Sequence, residues 1–264
     1  MPRMKVLILV KEVTELADDF EVSGMTISDQ YKEKALNEWD EYAIETAVQI
    51  SEDRESDVET VSVTIGPEAS EETIRLALAK DVDRAIRIWD DQFTQDHVDA
   101  HIRARVLEAI VDREDPDLVL TGVQSEDDGF GVTGVLLAER IGYHWAAVVN
   151  HLELEENRAH VRRELEGGIE EMATLPLPAV LTIQTGINEP RYASLRGIRQ
   201  AKQKQIEELS LADLEIDLAD YSTQLERHSL SKPKSESDMF RLKGDSDQTA
   251  SELAELLQDK GVDA

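Results

Sequence analysis

Cysteine is absent from this chain, and no run of apolar residues is long enough to cross a lipid bilayer. The first absence excludes disulfide bonds and any thiolate-ligated zinc or iron–sulfur site built from this chain alone. The second predicts that the protein is not itself embedded in a membrane. Residues 1–4 lead directly into a strand-like pattern, so we expect no signal peptide and a cytoplasmic location.

Basic residues are scarce as well. The 264 residues include 28 lysines and arginines against 57 aspartates and glutamates, a formal net charge of -29 at pH 7. Because this charge repels a phosphate backbone, we expect no nucleic-acid partner. The acidic residues recur from 15–19 to 245–247 rather than in one tail. This spread favours a surface adapted to concentrated salt, where screening makes self-repulsion tolerable.

Strand-like and helix-like patterns alternate along the first half of the chain. Apolar runs predict strands at 5–10, 61–65, 84–89 and 117–121. Amphipathic spacing and capping residues predict helices at 37–51, from Ser70, along 98–110 and at 134–141. The alternation predicts an α/β fold with a doubly wound, mostly parallel sheet of the Rossmann-like kind, whose ligand sites lie outside the carboxyl ends of the strands.

The pattern changes after Tyr143. Alternating residues at 148–154 and 159–165 predict a β-hairpin added to the sheet, followed by a strand at 178–183 and a helix at 194–209. We therefore predict an α/β domain at 1–209 and an arm at 210–264. The arm is polar until an amphipathic stretch at Leu253, Leu256 and Leu257. It is interpreted either as an extended and helical arm or as a disordered acidic tail.

The loop at residues 124–134 follows a predicted parallel strand and opens a helix. Freed backbone amides at a helix start, with glycines that admit a close oxygen and the hydroxyl of Thr133, suit one phosphate. The loop has neither a Walker lysine nor a G-x-G-x-x-G motif, so these residues alone also fit an ordinary helix start.

A basic cluster interrupts the acidic sequence near residue 200. It consists of Arg191, Arg196, Arg199, Lys202 and Lys204. Before and within this cluster, residues 163–168 read R-E-L-E-G-G, 177–180 read L-P-A-V, and 188–195 read N-E-P-R-Y-A-S-L. This stretch resembles the beta subunit of electron transfer flavoproteins, in which an arginine-containing E-[ILV]-[DE]-G-G pattern is followed by LPAV and by NEPRYA-[ST]-L before a basic helix. One residue more than the family usually has precedes Pro178, which we interpret as a β-bulge at 173–176.

The resemblance implies an electron carrier rather than an enzyme. Members of this family pair as heterodimers with an alpha subunit that supplies most of the FAD site. The beta subunit adds a wall near the isoalloxazine and a bound AMP, and its C-terminal arm lies on the alpha subunit. Electrons come from flavin dehydrogenases and pass to a quinone reductase or similar acceptor.

The resemblance also implies nucleotide contacts near the ends of the strands. The implied residues are Leu9, Asn37, Glu38, Trp39, Asp40, Ile65, Asp127, Asp128, Gly129, Phe130, Gly131, Val132, Thr133, Gly134 and Ala138. Since Asp127 and Asp128 would repel a phosphate, we assign them to hydroxyl contacts or helix capping. Trp39 fits either stacking on a base or flavin, or a core position at a helix start.

The family places an apolar side chain of its recognition loop in a pocket on the partner dehydrogenase, and Leu195 aligns with that side chain. The residues implied to dock the partner are Arg191, Tyr192, Leu195, Arg196 and Arg199. A leucine supplies anchoring area and nearby cations steer an acidic partner. A helix entry with a solvated basic face is the simpler alternative.

Two other functions stay open. A bifurcating branch of the family holds a second FAD in place of AMP, but its loop usually reads D-G-D-T-A-Q-V-G-P, and residues 127–134 are closer to the AMP type. A universal-stress-like nucleotide-binding module would share the α/β alternation without the basic segment. His97 and His101 lack a third ligand, so we expect no metal site, and nothing in the sequence predicts a catalytic centre.

Overall fold

A computed structural model describes residues 3–54, 58–93, 98–218, 223, 225–233 and 241–261. Contacts divide the chain into one compact unit up to Leu230 and a second unit from Ser231 onward. The functional partition into 1–209 and 210–264 stays a prediction.

The helices and strands of the described residues are given in chain order. The strands are β1 (Met4–Leu9), β2 (Glu12–Leu16), β3 (Val22–Ser23), β4 (Thr26–Ile27), β5 (Lys32–Leu36), β6 (Val58–Ile65), β7 (Arg84–Ile88), β8 (Leu118–Gly122), β9 (His144–Glu155), β10 (Arg158–Glu164), β11 (Glu170–Pro176), β12 (Ala179–Ile183) and β13 (Ile206–Leu209). The helices are α1 (Glu38–Asp53), α2 (Glu71–Ala79), α3 (Ala100–Glu114), α4 (Thr133–Ile141) and α5 (Leu195–Ala201), with α6 (Ser246–Asp259) in the second unit.

One nine-stranded sheet organises the first unit, in the order β11-β10-β9-β12-β8-β1-β6-β7-β13. From β9 to β13 in that order every neighbouring pair is parallel, whereas β10 is antiparallel to both β9 and β11. The chain leaves β1 towards β6 on one side and later returns to β8 on the other. Such a reversal of strand order opens a crevice outside the carboxyl ends of the two strands.

The apolar residues of β1 explain why both faces of the sheet are covered. Val6 and Ile8 pack in a core cluster with the apolar face of α1. Leu7 and Leu9 point the other way and pack with the apolar stripes of α3 and α4, as the alternation of side chains along a strand requires. The prediction of an α/β fold with a large, mostly parallel sheet is confirmed.

The predicted hairpin is confirmed as β9 and β10, but the predicted bulge at 173–176 is wrong. Strand β11 pairs with β10 without a shift, from Arg158 opposite Pro176 to Glu164 opposite Glu170. The irregularity lies instead between β9 and β10. Arg162 faces His151 there and Arg163 faces Val149, which leaves Asn150 as the additional residue. The sequence did not indicate β11 at all.

The predicted helix at 194–209 is only partly correct. Helix α5 ends at Ala201, and residues 206–209 form β13, an edge strand parallel to β7. The guanidinium of Arg75 donates to the carbonyl oxygens of Ala201 at 2.6 Å and Lys204 at 3.3 Å. Arg75 thereby ties the end of α5 to α2, and the chain then turns to pair with the sheet.

A network of ion pairs lies at the amino ends of the strands, opposite the crevice. The buried Glu114 carboxylate lies 3.2 Å from Nζ of Lys5 and also pairs with Arg84. Arg84 in turn pairs with Glu59 at 2.9 Å. Burial would raise the pKa of Glu114, but the hydrogen bonds and charges of Arg84 and Lys5 outweigh it and hold that pKa below its ordinary value.

We expect Glu114→Gln to lower the free energy of unfolding at neutral pH by about 2 kcal/mol, because Lys5 and Arg84 lose their shared carboxylate. A depressed carboxyl pKa stabilises the fold above the ordinary value of 4.5 and ceases to do so as pH falls through the lower folded value. The difference between wild type and variant should therefore shrink in acid. Urea unfolding across pH 3 to 7 measures this difference in the free energy of unfolding. Glu139→Gln, on an exposed site of α4, is the control. Parallel pH profiles for wild type and Glu114→Gln would refute this account.

Candidate functional site

Asp40 joins the two strands that flank the crevice. Its carboxylate accepts the backbone N–H of Lys11, just after β1, at 2.8 Å and that of Gly122, the last residue of β8, at 3.0 Å. The side chain is only 3% exposed. Asp40 therefore fixes both strand ends to the first turn of α1, and its oxygens are already occupied by protein donors.

The protonation of Asp40 changes near neutral pH. Burial raises its pKa to about 7, although the N–H of Lys11, the side chain of Asn37 and the N–H of Gly122 favour the ionised form. For a carboxyl with a raised pKa, the contribution to stability is present in acid and is lost as pH rises through about 7.

Gly122 allows the start of α1 to approach β8 closely. A Cβ at this position would lie 2.5 Å from Cβ of Trp39 and 2.6 Å from Oδ1 of Asp40. The indole ring of the half-buried Trp39 is also held, because its N–H donates to Oε1 of Gln184 at 3.3 Å. The tryptophan thus has a defined place at the rim of the crevice.

The loop at 124–132 is tied to the crevice by ion pairs. Nζ of Lys11 lies 2.5 Å from Asp127 and 2.9 Å from Asp128, and it donates to Oγ of Ser125 at 2.9 Å. Arg103 of α3 pairs with Asp128 at 2.8 Å. Burial acts to raise the pKa of Asp128, but Lys11, Arg103 and Ser125 together hold it well below its usual range. The two aspartates anchor the loop, and neither caps α4, whose N-cap residue is Val132.

Helix α4 opens directly after this loop with its first backbone amides free. Among the described residues, no hydrogen bond uses the N–H groups of residues 131–134, as expected for the first turn of a helix. Gly129 and Gly131 have positive φ angles of 63° and 62°. Gly134 packs so tightly that a Cβ would lie 2.7 Å from Cγ2 of Thr121. The loop can therefore bring an anionic oxygen to the helix start.

The other residues predicted to contact the nucleotide differ in burial. Asn37 is buried and donates to the carbonyl oxygen of Gln124 at 2.9 Å, so it connects the start of α1 with the loop. Glu38 is exposed and Ile65 is half-buried at the end of β6. The side chains of Leu9 and Ala138 are buried in the core, which leaves only their backbone atoms for a ligand.

Sequence reasoning missed three residues that shape this site, namely Lys11, Arg103 and Gly122, and it gave Ser125 of the predicted loop no role of its own. A lone lysine after a buried strand in an acidic sequence, and a glycine ending another buried strand, were usable signals. The pairing of Arg103 with Asp128 had no local signal, because the two residues belong to different elements.

The described residues contain no group of three or more candidate ligands that could hold a metal ion. His97 lies outside the described residues, and His101 is exposed in the first turn of α3. None of the helices described is long and apolar enough to span a membrane.

A second candidate site is exposed at residues 191–199, which we call the docking segment. Tyr192 is 97% exposed and Leu195 is 79% exposed, and Ile198 adds a further exposed apolar side chain. Ser194 caps α5 by accepting the N–H of Gly197 at 2.9 Å. Large apolar side chains exposed together indicate a binding surface.

The basic cluster divides into two groups. Arg196, Arg199 and Lys202 are exposed, and none of them forms an ion pair with a described residue. Arg191 is only partly exposed and pairs with Glu45 and Glu52, and Lys204 donates to the carbonyl oxygen of Val82 at 2.5 Å. Only the first group is available to attract an acidic partner.

Comparison with known proteins gives a consistent result. The family model described as the electron transfer flavoprotein domain matches residues 24–214. The electron transfer flavoprotein subunit beta of Methylophilus methylotrophus is 45% identical over 221 residues, which cover 82% of this chain and 83% of the relative. The protein of the same name from Bacillus subtilis (strain 168) is 34% identical over 258 residues, covering 97% and 98%. That from Homo sapiens is 36% identical over 222 residues, covering 83% and 86%.

Proposed function

This chain belongs to the electron transfer flavoprotein beta-subunit family, and from that premise we propose that it pairs with an alpha subunit and carries electrons from flavin dehydrogenases to a quinone reductase or similar acceptor. The exposed Leu195 is the observation that carries the proposal furthest. A leucine that is solvated in the free chain and flanked by unpaired arginines suits reversible docking of an acidic partner. The cytoplasmic location stays a prediction.

We assign AMP to the crevice. The free amides of residues 131–134 and the hydroxyl of Thr133 would hold its phosphate, and the ring of Trp39 offers a face at the rim. Lys11 is engaged by Asp127 and Asp128, so the phosphate site depends on amides rather than on a cation. A Cβ on Gly129 would meet nothing within 4 Å, so the loop leaves room there for a phosphate oxygen, and the residues present fit this ligand.

FAD belongs mostly to the alpha subunit in this proposal. Bound flavin supplies the redox chemistry by accepting and releasing electrons. This chain contributes a wall at the crevice rim around Trp39, whose orientation is fixed by Gln184. It also excludes water there and presents the docking segment to the dehydrogenase.

Nucleotide extraction tests the assignment. The chain purified alone and denatured in acid should release AMP and little flavin, as measured by chromatography with absorbance detection. Stoichiometric FAD on the isolated chain would instead support the bifurcating branch. An isolated chain that binds ATP and never associates with a flavin-bearing partner would favour the universal-stress-like module.

We further propose that the acidic surface is adapted to concentrated salt. A net charge of -29 destabilises the compact state by self-repulsion unless ions screen it. We expect the thermal midpoint, followed by circular dichroism, to rise by several degrees or more between about 0.1 M and about 2 M KCl. An equal midpoint in dilute buffer would refute the adaptation and would leave the proposed electron-carrier role intact.

A further inference from the structure

The side chain of Arg191 makes more ion pairs than any other side chain of the docking segment. Its Nε lies 2.8 Å from Oε2 of Glu45, and its Nη2 donates to Oε1 of the same residue at 3.1 Å. The two terminal nitrogens also reach both oxygens of Glu52, at 2.8 and 3.0 Å. Asp81, which follows α2, lies 3.6 Å away. Arg191 thus makes paired hydrogen bonds to two carboxylates of α1.

Three further hydrogen bonds hold the chain at the same end of the segment. The backbone N–H of Arg191 donates to Glu45 at 3.1 Å. Nδ2 of Asn188 donates to the carbonyl oxygen of Tyr42 at 3.1 Å and to Oγ1 of Thr46 at 2.9 Å. All of these acceptors belong to α1, so the chain is fixed to that helix immediately before Tyr192.

The other end of the segment is fixed to α2. A Cβ on Gly197 would lie 2.3 Å from the carbonyl oxygen of Ala79, and Arg75 of α2 donates to the carbonyl oxygen of Ala201. Between these two attachments stand Tyr192 and Leu195, the exposed side chains. The segment is therefore an arch held at both ends.

We propose that Arg191 is a positioning residue, which holds one end of the arch on α1 by pairing with Glu45 and Glu52. Tyr192 and Leu195 are thereby preorganised for the partner. This role replaces the direct contact with the partner that the sequence predicted for Arg191. The inference rests on the proposed docking function. Ordering a loop before binding reduces the entropy that association must otherwise overcome.

The chemistry of the pair favours positioning over steering. The hydrogen bonds that Arg191 donates to Glu52 and Glu45 raise the pKa of Arg191 above its ordinary value, and Arg191 holds the pKa of each glutamate below its ordinary value despite the burial of Glu45. A cation with its donors committed to internal carboxylates attracts a partner less than the free Arg196 and Arg199. A planar guanidinium can make two hydrogen bonds to each of two carboxylates, as Arg191 does, whereas a lysine ammonium is a single point charge that cannot reproduce this fork geometry.

Hydrogen exchange on the full chain tests the positioning directly. The variants are Arg191→Gln, Arg191→Lys and Glu45→Gln, with Arg199→Gln as a matched control that removes a charge from the same segment. We expect amides of residues 192–198 to exchange about tenfold faster in the three clamp variants, with β1 and the control unchanged. Wild-type exchange in Glu45→Gln would overturn the proposal, and so would exchange raised equally in β1, since Arg191 would then stabilise the whole unit.

A kinetic experiment tests the same role in the heterodimer. It uses a flavin dehydrogenase from the same source, chosen because it reduces the unmodified heterodimer. Arg191→Gln and Glu45→Gln should each raise KM for the heterodimer about tenfold with kcat nearly unchanged. The double variant should match either single variant, because both act through one interaction. Glu45 is 5% exposed on its side chain and cannot itself touch a partner, so a KM raised by Arg191→Gln but not by Glu45→Gln would overturn the proposal. A wild-type KM for Arg191→Lys would overturn it too.

The two measurements separate the failure of this inference from the failure of the function on which it rests. If no flavin dehydrogenase reduces the unmodified heterodimer, the proposed function fails, and hydrogen exchange still decides whether Arg191 orders the arch. If the dehydrogenase works and exchange is unaffected by the clamp variants, the function stands and the positioning role is rejected.

Discussion

Replacing Leu195 by alanine is expected to raise the KM of a flavin dehydrogenase for the heterodimer by roughly 30-fold, the effect of losing about 2 kcal/mol at an interface hot spot. Leu195 is 79% exposed, so its removal leaves no cavity in the chain and should not alter folding. Its side chain is presented by a capped helix start within a segment attached at both ends. Steady-state reduction of the heterodimer, with its concentration varied, measures the change.

Met25→Ala is a suitable control for Leu195→Ala. Met25 is another exposed apolar residue, and it lies between β3 and β4, outside the docking segment. It should keep the wild-type KM. If Leu195→Ala also keeps the wild-type KM, Leu195 is not the anchor. At high salt the discrimination between the two variants should persist, because apolar anchoring is not screened as steering by Arg196 and Arg199 is.

Gly122→Ala is expected to lower the free energy of unfolding by about 3 kcal/mol and to abolish retention of AMP. The new Cβ would lie 2.5 Å from Cβ of Trp39 and 2.9 Å from the Trp39 backbone carbon. Because part of this clash is with backbone, the start of α1 must move. That movement displaces Asp40 from the backbone N–H groups of Lys11 and Gly122 and disturbs the rim of the crevice.

Urea unfolding and acid extraction of nucleotide measure these two effects. Gly142→Ala is the control, because a Cβ there meets nothing within 4 Å while the φ of 68° still disfavours alanine. It should cost about 1 kcal/mol and leave AMP bound. Equal stability losses for the two variants, with nucleotide retained in both, would show that the close approach of α1 to β8 does not shape the site.

The parts of the fold that the sequence predicted share a simple physical basis. Strands buried on both faces, such as β1, appear as continuous apolar runs, and helices packed on one side, such as α1 and α3, repeat apolar residues every three or four positions. The small sheet in which β2 pairs antiparallel with β5 was missed because Lys32–Leu36 carries alternating charges and little apolar surface. The helix predicted at 194–209 was too long because residues 206–209 pair as a strand with β7, which is far away in sequence and gives no local signal.

The candidate site shows the same limit more clearly. Local sequence indicated a loop and helix start suited to a phosphate, and the exposed Leu195 followed from family resemblance. The clamp of Asp40 on the N–H of Gly122 joins residues 82 positions apart, and that of Arg191 on Glu45 joins residues 146 positions apart. These hydrogen-bonded pairs form only because the fold places their elements side by side, so no local sequence pattern predicts them.

Co-expression with the alpha subunit from the same source tests the central claim most directly. We predict that the two chains purify as one complex with stoichiometric FAD, that this chain alone carries little flavin, and that a flavin dehydrogenase with its substrate bleaches the flavin absorbance of the complex. A complex that forms without flavin, or a flavin that no dehydrogenase reduces, would contradict the assignment of this chain as an electron-carrying beta subunit.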